Sequence, residues 1–358
     1  MRDLGDANDL TRAAVSLRRF RNRATTVAVT LVLTSIASAI FAIFLVTDRS
    51  WTSAAMNGIG GSLVIATPTF AWLQFGLNSG VGRRLKRLPL LLYVAINSTI
   101  MGFVLLVGHL AAHNFIWRSG SRFMDAPYLT ASLAFSVALV VTVSIAMELR
   151  RLIGPGVFGA VLLGRYRYPR AERRLVLMLD IAGSTALAER LGPERFLAFL
   201  DRWIRMLSEP LLATRGRIYR YVGDEAILTW EWRGDAVERA LAFALAVTDA
   251  VAADADRWQR DFGAVPRMRI ALHGGPVIAG EIGDLKREIA LLGDTLNTAS
   301  RIAGEARLHD ALVLASAEAI EGVRLPPNFV RHDLGPVALR GKSEPVPLVR
   351  LTSAPPSP

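Results

Sequence analysis

The chain has 358 residues, 52% of them hydrophobic, and its mean hydropathy is +0.34. This composition is too apolar for a disordered protein and, on average, too apolar for a purely soluble enzyme. The chain contains no cysteine, which excludes a disulfide scaffold, a thiolate zinc site and cysteine catalysis.

The net positive charge of the chain comes from its first half. Residues 1–174 contain 20 Lys and Arg against 7 Asp and Glu, whereas residues 175–358 contain 22 against 24. The basic clusters flank apolar runs instead of lining one face, as a nucleic-acid-binding surface would require. We therefore expect no nucleic-acid partner.

Four long apolar runs occupy the first half, near residues 24–46, 57–77, 88–111 and 127–147. Each is long enough for a helix that crosses a bilayer core, which takes about 20 residues. The first run could also be a cleaved signal peptide, but its length and the long Arg-rich arm before it disfavour this. The pattern predicts an α-helical membrane domain with four transmembrane helices in a lipid bilayer.

Basic residues are concentrated before the first run, between the second and third, and after the fourth. By the positive-inside rule, the N-terminus and the second half of the chain lie in the cytoplasm of a multi-pass protein of the inner (plasma) membrane. The predicted regions are a basic arm (1–23), the membrane domain (24–149), a connector (150–173), a catalytic domain (174–351) and a tail (352–358).

The second half shows an alternating pattern of strands and helices. The apolar run Leu175–Leu179 predicts a buried strand that ends at Asp180, and Gly223-Asp224 between two strand-like segments predicts a hairpin. The other predicted elements are helices over 193–214, 236–262 and 295–307, and strands over 267–273 and 289–292. The order β-α-β-β-α-β indicates an α+β, ferredoxin-like fold.

Two carboxylates, Asp180 and Asp224, lie at strand ends that this topology makes neighbours. With no His or Cys nearby, such a pair suits a hard cation such as Mg²⁺, which takes further ligands from water or phosphate. The small residues 182–185 open a helix directly after Asp180, and their N–H groups could hold phosphate oxygens. The alternative is structural, with Asp180 as a helix cap and Asp224 as a turn former.

Four ordered segments resemble the catalytic domain of class III nucleotidyl cyclases, the adenylate and guanylate cyclases. They are LDIAGST at 179–185, YVGD at 221–224, HGGPVIAG at 273–280 and LGDTLNTASR at 292–301. The resemblance covers roughly residues 174–351, and the membrane half carries no such motif. It implies a bacterial membrane-bound adenylate cyclase that converts ATP to 3′,5′-cyclic AMP and pyrophosphate.

The resemblance also implies roles for individual residues. It implies two Mg²⁺ or Mn²⁺ ions per site and a homodimer in which the metal-binding residues and the catalytic pair come from opposite subunits. The implied residues are Asp180, Ile181 and Asp224 for metal, Gly183, Ser184, Thr185, Arg269 and Lys342 for phosphate, and Asn297 and Arg301 for catalysis.

The base-recognition positions depart from the family pattern. Arg220 stands where adenylate cyclases usually have Lys, and Ala290 where they usually have Asp or Thr. Glu288, two residues earlier on the same strand face, could take over this role. ATP is therefore expected from family frequency rather than from residue chemistry.

Other functions stay open at this stage. They are a guanylate or dual-specificity cyclase, a diguanylate cyclase, whose signature hairpin resembles Arg220–Ala226, and a catalytically inactive membrane sensor.

Overall fold

The computed structural model describes residues 24–44 except 26, 51–85 except 77 and 78, 159–161, and 163–353 except 286 and 310, with scattered residues between 88 and 146. The chain divides into two compact units, Met1–Leu152 and Ile153–Pro358. Each unit is described by itself.

The described part of the first unit is helical. Helix α1 spans Val27–Phe44, α2 spans Trp51–Gln74 and α3 spans Gly80–Leu85. A buried hydrogen bond of 2.8 Å joins the hydroxyl groups of Ser35 on α1 and Ser62 on α2, a polar contact of the kind that links apolar helices.

Among the described residues, α1 is the one helix long and apolar enough to cross a membrane. About half of the residues in the predicted runs near 88–111 and 127–147 lie outside the described residues. The arrangement of four transmembrane helices therefore stays a prediction.

The described part of the second unit contains an eight-stranded sheet. The strands are β1 (Arg170–Ile181), β2 (Arg217–Val222), β3 (Glu225–Glu231), β4 (Met268–Ile282), β5 (Glu288–Leu292), β6 (Val313–Ser316), β7 (Phe329–Val337) and β8 (Val346–Ser353). Their order across the sheet is β2-β3-β1-β4-β6-β8-β7, and β5 pairs with β4.

Helices cover both faces of this sheet. They are α4 (Ser184–Leu191), α5 (Pro193–Ala213), α6 (Ala236–Ala253), α7 (Ala255–Phe262), α8 (Asp294–Ala306) and α9 (Ala317–Ile320). Leu175, Leu177 and Leu179 of β1 pack in a core with α4 to α7, whereas Val176 and Met178 pack with α8 on the other face. Burial on both faces explains why this strand is continuously apolar.

The predicted order of strands and helices is confirmed from β1 to β4. Strand β4 is longer than expected because residues 274–282 continue it, and residues 278–282 pair with β5. The predicted long helix is two helices that meet at Asp254, which forms an ion pair with Arg202 of α5. Strand β1 begins at Arg170, so the end of the predicted connector lies in the sheet.

Candidate active site

Asp180 occupies the second-to-last position of β1, and its side chain is 11% exposed. It lies directly opposite Arg269 of β4 in the antiparallel register, so both side chains project from the sheet face that α8 covers. Arg307, which immediately follows α8, donates from Nε to Oδ2 of Asp180 at 3.1 Å, and its Nη2 lies 3.0 Å from the same oxygen as an ion pair. Asp180 is therefore a nearly buried carboxylate with one exposed cationic partner.

Asp224 lies in the turn between β2 and β3, where Gly223 has a positive φ of 61°. Strand β3 pairs with β1, which brings this turn beside Asp180. Burial and the neighbouring carboxyl of Asp224 raise the pKa of Asp180, while Arg307 partly offsets them. The predicted convergence of the two carboxylates is thus present.

The Oδ2 atom of Asp224 is buried and, within the described residues, no donor hydrogen-bonds to it. A buried, unpaired carboxylate oxygen is costly unless a cation or water satisfies it. Among the described residues, no group of three or more His, Cys, Asp or Glu side chains forms a metal-binding cluster. The pair therefore fits a cation that completes its shell with water and a phosphate substrate.

The segment that follows Asp180 has the predicted form. Gly183, with φ of 72°, precedes the first residue of α4, and Ser184 and Thr185 form its first turn. The Ile181 side chain is 2% exposed and belongs to the core. A role for Ile181 at a metal would therefore use its backbone carbonyl oxygen.

Arg269 is half-buried, and in the described part of the chain its Nε, which is fully buried, has no hydrogen-bond partner. An unpaired guanidinium N–H on the same face as Asp180 suits an anionic ligand such as a phosphate group. This geometry is consistent with the phosphate-binding role that the sequence suggested.

The predicted catalytic pair lies on α8. Ala299, Ile302 and Ala306 face the sheet, whereas Asn297 and Arg301 are both exposed. Lys342 approaches the start of this helix, where its Nζ donates to Asp294 at 2.6 Å. The hydrogen bond from Lys342 accordingly lowers the pKa of Asp294 despite some burial.

Helix α8 separates this catalytic pair from Asp180. Arg307 contacts Asp180 just beyond the C-terminal end of α8, whereas Asn297 is ten residues earlier in the chain. At 1.5 Å per residue, Asn297 is displaced by roughly 15 Å and Arg301 by roughly 9 Å along the helix axis. The structure therefore brings Lys342 and the catalytic pair to one helix, with Asn297 far from the end that reaches Asp180 of the same chain.

Two of the three candidate base-recognition residues meet. The guanidinium of Arg220 on β2 donates from Nη2 to Oε2 of Glu288 on β5 at 2.5 Å. The third, Ala290, is 4% exposed and lies opposite Gly280 of β4. The base-recognition candidate with an accessible polar acceptor is therefore Glu288.

Sequence reasoning missed Arg307 and Glu225. Glu225 follows Asp224, and burial raises its pKa, as does the charge of Asp180, while Arg307 lowers it. A basic residue at a helix C-terminus is a common local feature. The contact of Arg307 with Asp180 spans 127 positions in sequence, so no local signal predicts it.

Comparison with known proteins identifies the family. Residues 167–349 match the family model for the adenylate and guanylate cyclase catalytic domain. The chain belongs to this family, as the four motifs predicted, and the match covers most of the second unit.

The relatives are consistent with this assignment. The chain is 40% identical over 223 residues to adenylate cyclase 2 of Rhizobium meliloti, which covers 62% of this chain and 61% of the relative. It is 27% identical over 179 residues to an adenylate cyclase of Anabaena cylindrica, covering 48% and 35%. The chain thus spans about three-fifths of the first relative and about one-third of the second.

A solved structure shares the fold. The structure of a bacterial light-regulated adenylyl cyclase superposes with a TM-score of 0.54 at 16% identity, covering 64% of this chain and 67% of the other.

The repulsion between the two carboxylates predicts a pH-dependent stability effect. Asp224→Asn removes one of the like charges, so in EDTA at neutral pH it should raise the midpoint of thermal unfolding by a few degrees. Because the folded pKa of Asp180 is raised, wild-type stability increases as the pH falls through that pKa. The advantage of the variant should therefore shrink at acidic pH.

Circular dichroism across a pH series measures both effects. Asp333→Asn is the matched control, since Asp333 forms an exposed ion pair of 2.8 Å with Arg331 on the edge strand β7. This control should not raise the midpoint. A lower midpoint for Asp224→Asn at neutral pH would contradict the inferred repulsion.

Proposed function

We propose that the chain is a membrane-anchored adenylate cyclase that converts ATP to 3′,5′-cyclic AMP and pyrophosphate for intracellular signalling. The observation that carries this proposal is the convergence of Asp180 and Asp224, with a buried carboxylate oxygen left unpaired among the described residues. Family membership and the 40% identity to adenylate cyclase 2 support it.

Asp180 and Asp224 would hold two divalent cations, Mg²⁺ or Mn²⁺, with the carbonyl oxygen of Ile181 as a further ligand. When bound, the ions would neutralise the triphosphate and favour ionisation of the ribose 3′-hydroxyl. The N–H groups at the start of α4, from Gly183 to Thr185, and the unpaired Nε of Arg269 would bind phosphate oxygens.

Asn297 and Arg301 would act on the nucleotide from the other subunit. Both are exposed, and within one chain Asn297 is displaced by roughly 15 Å along α8 from the end that reaches Asp180. A two-fold homodimer would place the pair of one chain over the carboxylates of its partner, giving two equivalent sites. Asn297 would orient the ribose, Arg301 would stabilise charge at the α-phosphorus, and Lys342 would bind the polyphosphate.

Arg220 and Glu288 would read the base. Arg220 can donate to a ring nitrogen of adenine, and Glu288 can accept from its amino group. Their contact at 2.5 Å holds the two groups side by side before the substrate binds. Glu288 would then supply the acceptor that Ala290 lacks.

The apolar helix α1 would anchor the protein in the inner membrane, with the remaining apolar runs completing a multi-pass domain. The basic residues that flank the runs would keep the N-terminus and the catalytic unit in the cytoplasm.

Mixing two inactive variants tests the shared site. Asp180→Ala and Arg301→Ala should each be inactive alone, because every site of each homodimer lacks one group. After subunit exchange at equal concentrations, half of the dimers should be mixed, each with one intact site, so about one quarter of wild-type cyclic AMP production should return.

Asp180→Ala mixed with Asp224→Ala is the matched control. Both defects then lie in the same half of the site, so no activity should return. If the first mixture stays inactive despite demonstrated subunit exchange, the composite site is wrong.

Glu288→Ala tests base recognition. Loss of a charged acceptor for the adenine amino group should lower the ratio of kcat/KM for ATP over GTP by about tenfold. Glu288→Gln, which keeps an acceptor oxygen, should lower the ratio less. Glu281→Ala is the control. Glu281 lies on the neighbouring strand β4 and, like Glu288, forms an ion pair with an arginine, in its case Arg287. An unchanged ratio in Glu288→Ala would show that its pair with Arg220 is only a surface ion pair.

A further inference from the structure

Arg307 occupies the place where a cation would balance the acidic site. Its Nε donates to Oδ2 of Asp180 at 3.1 Å, and its Nη2 forms an ion pair with the same oxygen at 3.0 Å. The guanidinium thus lies against the carboxylate that a metal ion would use.

We propose that Arg307 is a tethered counter-ion that competes with the divalent cation for Asp180 and sets the metal concentration at which the site fills. The inference rests on the proposed function for the metal-binding role of Asp180. Both ligands need the same carboxylate: the guanidinium holds Oδ2 through a hydrogen bond and an ion pair, and its positive charge repels a divalent cation that approaches Asp180 until Arg307 moves away.

The contact is built so that a metal ion can displace it. The Arg307 side chain is 61% exposed, whereas that of Asp180 is 11% exposed. The guanidinium can therefore swing into solvent while the carboxylate stays fixed at the end of β1. An ion pair with one partner in water is also weak enough for a divalent cation to replace.

The position of Arg307 at the end of α8 also favours this role. The last carbonyl groups of a helix carry partial negative charge, which holds a cationic side chain near the helix end. Other contacts also hold α8 to the sheet: apolar packing of Ala299, Ile302 and Ala306, and a hydrogen bond of 2.7 Å from the Thr295 hydroxyl to the carbonyl oxygen of Pro276 on β4. Release of Arg307 therefore leaves the helix in place, together with Asn297 and Arg301.

Direct Mn²⁺ binding to the purified full-length chain, without nucleotide, tests the proposal. Electron paramagnetic resonance of free Mn²⁺ gives the dissociation constant without any turnover. Arg307→Ala should bind Mn²⁺ about three- to fivefold more tightly than wild type, the range expected for loss of one exposed ion pair. Arg307→Lys, which keeps the charge but loses the double contact, should fall between the two.

Arg331→Ala is the matched control, because Arg331 is also an exposed arginine paired with an aspartate, but on the distant edge strand β7. It should leave the dissociation constant unchanged. In an Asp180→Asn background, Arg307→Ala should no longer tighten binding, since the shared carboxylate is gone.

The outcomes separate the two proposals. If wild type binds Mn²⁺ and Asp180→Asn weakens that binding, but Arg307→Ala binds no more tightly than wild type, the counter-ion role is wrong and the metal site stands. If Asp180→Asn binds Mn²⁺ as well as wild type does, the metal assignment and the inference that rests on it both fail.

Discussion

Two like charges held side by side are the constraint on which this catalytic unit depends. Asp180 is the second-to-last residue of β1, a strand that is buried on both faces. Asp224 lies beside it in the hairpin turn between β2 and β3. The surrounding sheet fixes both positions, so the carboxylates cannot relieve their repulsion by moving apart. At neutral pH a cation reduces this repulsion: Arg307 pairs with Asp180 and, on our proposal, divalent ions bind both carboxylates during catalysis.

Helix α8 determines how the rest of the site is assembled. Its C-terminal end reaches the carboxylates through Arg307, while its first turns hold Asn297 and the contact between Lys342 and Asp294. If the protein is a homodimer, α8 therefore takes part in both active sites. Its C-terminal end belongs to the metal-binding half of one site, and its exposed catalytic pair belongs to the second site. On our proposal, the roughly 15 Å along α8 between Asn297 and the end that reaches Asp180 is the argument for a partner subunit.

Much of the catalytic fold could be predicted from the sequence because its signals are local. The apolar run before Asp180, the Gly223-Asp224 turn and the spacing of Asn297 and Arg301 are each read over a few residues. The extension of β4 was missed because Gly274, Gly275 and Pro276, residue types that are depleted in strands, interrupt the strand pattern, and because its pairing with β5 depends on tertiary contact.

The same limit applies to the candidate site. The contacts between Arg307 and Asp180 and between Arg220 and Glu288 join residues 127 and 68 positions apart. Neither follows from a motif, since each depends on which strands the sheet brings together. The sequence nevertheless predicted Glu288 as an alternative to Ala290, because side chains two residues apart on a strand share one face.

The most direct test of the central claim is the activity of Asp224→Ala. The purified full-length variant would be compared with wild type for the formation of cyclic AMP and pyrophosphate from ATP with Mn²⁺. If Asp180 and Asp224 together hold the metal ions, the variant should be inactive while its circular dichroism spectrum matches that of wild type. Near-normal turnover by the folded variant would show that this pair of carboxylates does not hold the catalytic metal ions.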